Sequence, residues 1–223
     1  MIHYGLKNVD PEDIEELLGK VEKSFDIKFI GDELVHIGTF GELCDHIVNK
    51  IRLSSTDDCT SQQAFYKLRD AISSTLQIDN KIISADFLLV DILPPQDRRL
   101  RVRKLEDVLG FRLNVLSPPA WVTWTLLFLM IGGLIALYFN WKIGLSGIVF
   151  SIVGFWLTDK VANELDLQTV GQVAEKMTRE NYLKSRRNPS TFNKREIEKL
   201  LVDWFSVEFG LEKEELTREA RLM

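Results

Sequence analysis

One uncharged block in the middle of a charged chain constrains what this sequence can fold into. No charged residue lies between Arg112 and Lys142, and residues 121–139 read WVTWTLLFLMIGGLIALYF. These 19 residues approach the roughly 20 that a helix needs to cross a hydrocarbon core of about 30 Å. A second uncharged run of 16 residues, 143–158, follows Asn140, Trp141 and Lys142. It spans a bilayer if Trp141 and Lys142 sit in the interface, with the lysine snorkelling to water. Four of the five tryptophans, Trp121, Trp124, Trp141 and Trp156, mark the ends of the runs, where amphipathic rings suit the headgroup level. Gly132 and Gly133 in the first run, and Gly144, Gly147, Ser151 and Gly154 in the second, are small enough for close helix contact. The block therefore predicts a transmembrane helical hairpin within residues 117–160, with spans at about 121–139 and 143–158. The alternative is a buried hairpin of a soluble protein, in which a helix of 19 uncharged residues is uncommon.

The hairpin sits inside an otherwise polar chain, and residues 1–50 contain no apolar segment of the kind a signal peptide needs. Both flanks of a two-span hairpin lie on one side. Arg98, Arg99, Arg101, Arg103 and Lys104 crowd the approach; Lys160, Lys176, Arg179, Lys184, Arg186 and Arg187 follow, and the turn holds only Lys142. Positive residues stay on the cytoplasmic face, so the expectation is an integral protein of a cytoplasmic membrane of bacterial type, both termini cytosolic. The basic cluster at 98–104 also reads as a solvated helix face, or as a contact for anionic headgroups.

The remaining chain holds one or two small domains. Residues 1–60 contain 13 acids against 6 Lys and Arg, and residues 61–120 contain 7 against 9. Phosphate repels so acidic a first module, which excludes nucleic acid as its partner. Cys44 lies in a helical pattern and Cys59 in a polar loop; in the cytosol both are expected as reduced thiols.

Asp10, Pro11, Glu12 and Asp13 form a helix start: a cap, a proline at the first position, and acids on the positive end of the dipole. Ile14, Leu17, Leu18 and Val21 follow at helical spacing. Thr39 and Glu42 form a capping box ahead of Leu43, Ile47 and Ile51. Further helices are read from Phe65, Leu68, Ile72 and Leu76, from a basic segment at 97–109, from 170–182, and from an amphipathic segment at 196–209. No stretch alternates as a strand, so the parts outside the hairpin are all-α. His3, His36 and His46 lack ligand spacing, and nucleophile elbow, phosphate loop and dinucleotide fingerprint are all missing. The expectation is a non-enzyme without metal or cofactor.

The helices repeat one another in a scrambled order. Pro11 through Phe29 matches Pro95 through Leu113 at a constant offset of 84. Thr39, Gly41 and Glu42 match Thr169, Gly171 and Gln172. Leu68, Ile72, Leu76, Ile78 and Ser84 match Leu201, Phe205, Phe209, Leu211 and Thr217 at an offset of 133. The second set, in order helix, long loop, helix, membrane hairpin and helix, resembles acyl carrier proteins. Residues 198–222 look like the first helix and following loop of that family. Residues 14–29, IEELLGKVEKSFDIKF, are similar to its second helix, and residues 37–50, IGTFGELCDHIVNK, to its last.

The resemblance implies two small acyl-carrier-like helical modules around the membrane hairpin. The first takes residues 1–53; it has the second and last helices of the family but no first helix ahead of them. Residues 194–223 supply that missing helix and stop where a second would follow. The expectation is a circularly permuted module closed by the C-terminal segment, within one chain or as a swap between two. The second module takes residues 62–116 and 161–183, interrupted by the hairpin, with linkers at 54–61 and 184–193. Acyl carrier proteins bear a phosphopantetheine on a serine at the start of the second helix. Pro11 and Pro95 stand at that position, no Ser or Thr precedes Ser24, and none occurs from 85 to 112. Both modules therefore read as carrier-like folds that cannot carry. Glu12, Asp13, Glu15 and Glu16 fall where carrier proteins dock basic partners, and they equally offset the helix dipole. The reading is a membrane-anchored, non-catalytic scaffold that recruits cytosolic or membrane protein partners to the bilayer. The alternatives are an acyl or peptidyl carrier at the membrane, and a non-catalytic subunit of a membrane enzyme complex.

Overall fold

The computed structural model describes residues 9–222, so His3, Met223 and all but Val9 of the irregular lead at 1–9 lie outside it. The first third of the chain forms α1 (Pro11–Phe25), α2 (Phe40–Lys50), β1 (Ser54–Ser55) and α3 (Thr60–Leu76). Next come α4 (Leu89–Ile92), α5 (Arg98–Leu109), β2 (Leu116–Ser117), α6 (Ala120–Phe139), α7 (Trp141–Val161) and β3 (Glu164–Leu165). The last part contains α8 (Val170–Glu180), α9 (Tyr182–Ser185), β4 (Thr191–Phe192), α10 (Lys194–Phe209) and a 3-10 turn at Lys213–Glu215. The chain is predominantly helical, and its strands are two residues long. It forms two compact units: Met1–Asp70 with Ala174–Met223, and Ala71–Val173.

Unit 1 contains an apolar core shared by three helices. Leu17, Val21 and Phe25 of α1 meet Phe40, Leu43 and Ile47 of α2 and Ile197, Leu201, Trp204 and Phe205 of α10. Phe40 and Phe205 pack edge to face at 5.1 Å. The C-terminal segment closes this core on its own chain: Leu216, Ala220 and Leu222 are buried in it. The physical reason is that α1 and α2 have apolar faces too wide for one another, and α10 has the third. Local signals set the ends. Asp10 accepts from the Glu12 N–H, Pro11 opens α1, and Asp26 ends it in the left-handed region at φ 51°.

The segments read from sequence as linkers are ordered. Ser54 and Ser55 pair in parallel with Thr191 and Phe192, and α9 occupies the start of the second linker. Helix 170–182 is observed as α8 and a separate short α9, and helix 97–109 starts at Arg98. The long loop of the second set, residues 78–92 by sequence, ends in α4.

Unit 2 is built on the same plan with different residues, and the likeness extends to individual hydrogen bonds. In unit 1 the Phe40 and Gly41 N–H groups donate to the Ala220 and Arg218 carbonyls at 2.8 and 2.9 Å, and Leu222 N–H to Gly38. In unit 2 the Val170 and Gly171 N–H groups donate to Phe87 and Ala85 at 3.0 and 2.7 Å, and Leu89 N–H to Gln168. Each pair is joined by one antiparallel bridge, Thr39 with Arg221 and Leu88 with Thr169. Gly41 and Gly171 are needed for this approach: a Cβ would meet the Arg218 carbonyl oxygen at 2.8 Å and that of Ala85 at 3.0 Å. Behind α1, Glu22 accepts from the Phe29 N–H at 2.5 Å; behind α5, Glu106 accepts from the Leu113 N–H at 2.7 Å. Gln77 follows α3 and Gly210 follows α10, both in the left-handed region, at φ 58° and 64°.

In unit 2 an additional element enters between α5 and α8. β2 and β3 pair antiparallel, Leu116 with Leu165 and Ser117 with Glu164, clasping the two ends of the α6–α7 hairpin.

Candidate functional site

Most of the apolar surface of α6 and α7 is exposed. In 18-residue windows of mean hydropathy 2.1 and 1.4, only 11% and 17% of residues are buried, and both helices are long and apolar enough to cross a membrane by length and composition. They hold each other through small residues. A Cβ on Gly144 would meet the Leu137 backbone nitrogen at 2.5 Å, and one on Gly147 would lie 3.4 Å from the Gly133 Cα. Gly154 faces Leu126, whereas Gly132 has open space. Thr125, Ser146, Ser151 and Thr158 donate to carbonyls of their own helices. Trp121, Trp124, Trp141 and Trp156 are all exposed. Asn140 alone separates the helices; its side chain accepts from the Lys142 N–H at 3.1 Å, and Lys142 is exposed.

The basic cluster divides. Arg98 is 7% exposed and donates to the Leu93 and Asn163 carbonyls at 2.8 and 2.5 Å. It therefore belongs to the interior of unit 2 and not to an interface, because those carbonyls replace its water shell. Arg101 pairs with Asp97 at 2.8 Å and bonds the Ile92 carbonyl, and Arg99 bonds the Lys160 carbonyl. Arg103 and Lys104 are exposed with no ion pair among the described residues. A cleft of about 1040 Å³ opens between α5 and the end of α7; Arg99, Arg103, Arg112 and Lys160 line it with Glu106 and Asp107. Lys160 Nζ stands 3.4 Å above the Trp156 ring.

Glu12, Asp13, Glu15 and Glu16 are exposed on the first turns of α1. Glu16 is held by Lys20 at 3.1 Å, and Lys20 also pairs with Glu208. Pro11 is the first residue of α1, and Pro95 lies in the turn before α5, its carbonyl accepting from Asn163 at 3.0 Å. No hydroxyl stands at either place.

A buried polar network in unit 1 was hidden in the sequence. Arg186, 1% exposed, donates to the hydroxyls of Thr56, Thr60 and Thr191. Glu196 accepts from the Thr60 N–H and hydroxyl at 3.0 and 2.6 Å, and the Tyr182 hydroxyl accepts from the Asn193 N–H at 2.9 Å. Burial raises the Tyr182 phenol above its ordinary range. The network satisfies the residues around the β1–β4 pair, and Tyr182 and Glu196 also line a cleft of about 510 Å³ with Cys59, Glu175, Lys199 and Asp203. Among the described residues no group of three or more His, Cys, Asp and Glu is placed to hold a metal ion.

Both cysteines are free thiols, Cys44 buried and Cys59 exposed. Burial, with the Glu198 charge adding to it, pushes Cys44 up to about 12 from 9.0. A maleimide at neutral pH is expected to modify Cys59 alone in the native chain and both thiols in denaturant; equal labelling in the native state contradicts the core described above. The fold also loses stability as pH rises from 9.0 toward about 12, since only the unfolded thiol ionises there.

No family model matches this chain, and no curated protein or solved structure is significantly similar to it.

Proposed function

We propose that this protein is a membrane-anchored, non-catalytic scaffold: two acyl-carrier-like modules, one of them circularly permuted, held at the bilayer by the α6–α7 hairpin. The observation that carries the reading is the hairpin's uncovered apolar surface, 11% and 17% buried where a soluble core helix is mostly covered. Its interior contacts run through Gly133, Gly144 and Gly147, and its hydroxyls bond to their own helices, as hydrocarbon surroundings require. The duplicated hydrogen bonds of the two units support a common ancestral module, and the order of its helices supports the carrier-like reading. Such a module without an attachment serine has surfaces but no arm. It works by docking, and the exposed acids Glu12, Asp13 and Glu15 form a face for a basic partner.

The experiment is a loading reaction. The full chain, incubated with coenzyme A and a promiscuous phosphopantetheinyl transferase, is expected to keep its intact mass, because Pro11 and Pro95 have no hydroxyl to receive the arm. A gain of the arm's mass on any serine overturns the scaffold reading in favour of a true carrier.

A further inference from the structure

The cleft between α5 and the end of α7 has a composition that its fold does not require. At about 1040 Å³ it reaches the upper end of ordinary ligand clefts, roughly 300–1,000 Å³. Its described charged lining is Arg99, Arg103, Arg112 and Lys160 against Glu106 and Asp107. Glu106 is engaged: it accepts from the Leu113 N–H at 2.7 Å. Arg103 and Arg112 have no ion pair among the described residues.

The duplicate module serves as an internal control. Glu106 corresponds to Glu22, which accepts from the Phe29 N–H in the same way. Arg112 corresponds to Lys28, a cation just past a helix C-terminus that offsets the dipole in both copies. Arg99 and Arg103, by contrast, correspond to Glu15 and Gly19. Over the matched twelve residues of each helix, α5 holds five cations against two acids, and α1 holds two against three. The same helix in the same module thus forms without these cations. They are present only in the copy from which the apolar hairpin grows. The opposite wall completes the arrangement, because Trp156 and Lys160 belong to the last turns of α7.

Resting on the membrane reading above, we infer that this cleft binds the phosphate of an anionic phospholipid headgroup, through Arg103 and Lys160 with Arg99 and Arg112 beside them. The acyl chains leave along α7, and the Trp156 ring lies at headgroup depth. Arginine suits the task because its fork presents two donors to one phosphate.

The test uses the full chain in a neutral detergent, titrated with short-chain phosphatidylglycerol, phosphatidylcholine or glycerol phosphate and followed by tryptophan fluorescence. Saturable binding of phosphatidylglycerol alone is expected. Arg103→Gln is expected to weaken it about fivefold and Arg103→Gln with Lys160→Gln about thirtyfold, at about 1 kcal/mol per cation near an anionic lipid. Lys104→Gln, exposed on α5 outside the cleft lining, is expected to change it by about twofold at most, the scatter of an ordinary surface substitution, roughly 0.5 kcal/mol. Equal losses from Lys104→Gln and Arg103→Gln, or equal binding of phosphatidylcholine, overturn the site in favour of diffuse surface attraction. Binding of glycerol phosphate as tight as that of the lipid overturns the lipid assignment. Reconstitution into phosphatidylcholine vesicles separates the two readings: retention after an alkaline carbonate wash tests the hairpin whether or not the cleft binds.

Discussion

Trp204→Ala combined with Leu201→Ala is expected to unfold unit 1 and open residues 11–50 to protease, although both substitutions lie more than a hundred and fifty residues away in the sequence. Trp204 is 2% exposed and Leu201 fully buried, in one core with Leu17, Val21, Phe40 and Ile47. Truncations of this kind cost about 3–5 kcal/mol for tryptophan and about 2–5 kcal/mol for leucine. The two side chains are neighbours, so the sum is not strictly additive. It still equals much of the 5–15 kcal/mol that holds a typical domain. Tryptic cleavage at Lys23 and Lys28 reports the loss directly. Val207→Ala, on the exposed side of the same helix, is expected to leave that cleavage rate unchanged. A double variant as protected as the parent would mean that α10 is a peripheral helix and not the third wall of the module.

Much of this was legible in the residues, and the reasons differ from element to element. The ends of α1 and α2 follow from Asp10, Pro11, Thr39 and Glu42 because capping is a local transaction between a side chain and the next turn. The repeat was legible because matched side chains keep matched backbone contacts, as at Glu22 and Glu106 or Gly41 and Gly171. Arg98 and Arg186 were not legible. A charged residue in a basic run is ordinarily solvated, and only the arrival of distant carbonyls and hydroxyls makes burial possible. Ser24 is similar: its hydroxyl accepts from the Tyr182 N–H at 2.9 Å and donates to the Arg179 carbonyl at 2.5 Å. The β1–β4 pair escaped because two residues cannot display an alternation. The cleft beside α7 depends on where the hairpin's last turn returns to α5, and periodicity along one segment carries no information about that.

The central claim is that the hairpin crosses a bilayer and returns. Residues 120–139 include ten Leu, Ile, Phe and Val and no charged residue; at about −0.3 to −0.6 kcal/mol each, insertion is favourable by about 3–6 kcal/mol from these alone. Residues 141–158 carry only Lys142, at the turn, where in the proposed hairpin its ammonium would reach water. Exposed Arg103, Lys104 and Arg112 lie on the flank against that single lysine at the tip; for the proposed hairpin this asymmetry predicts both flanks on the cytoplasmic face, even with Arg98 and Arg186 buried. The decisive measurement is cysteine accessibility in sealed cells, in a Cys59→Ser background where buried Cys44 stays silent. Ser55→Cys and Ser190→Cys report the two flanks, both exposed sites, and Asn140→Cys reports the turn. A membrane-impermeant maleimide added outside is expected to label the turn alone, and permeabilisation to expose both flanks. Labelling of one flank without the other would mean a single crossing; no labelling of the turn, with release of the chain by carbonate, would mean that α6 and α7 never enter the bilayer.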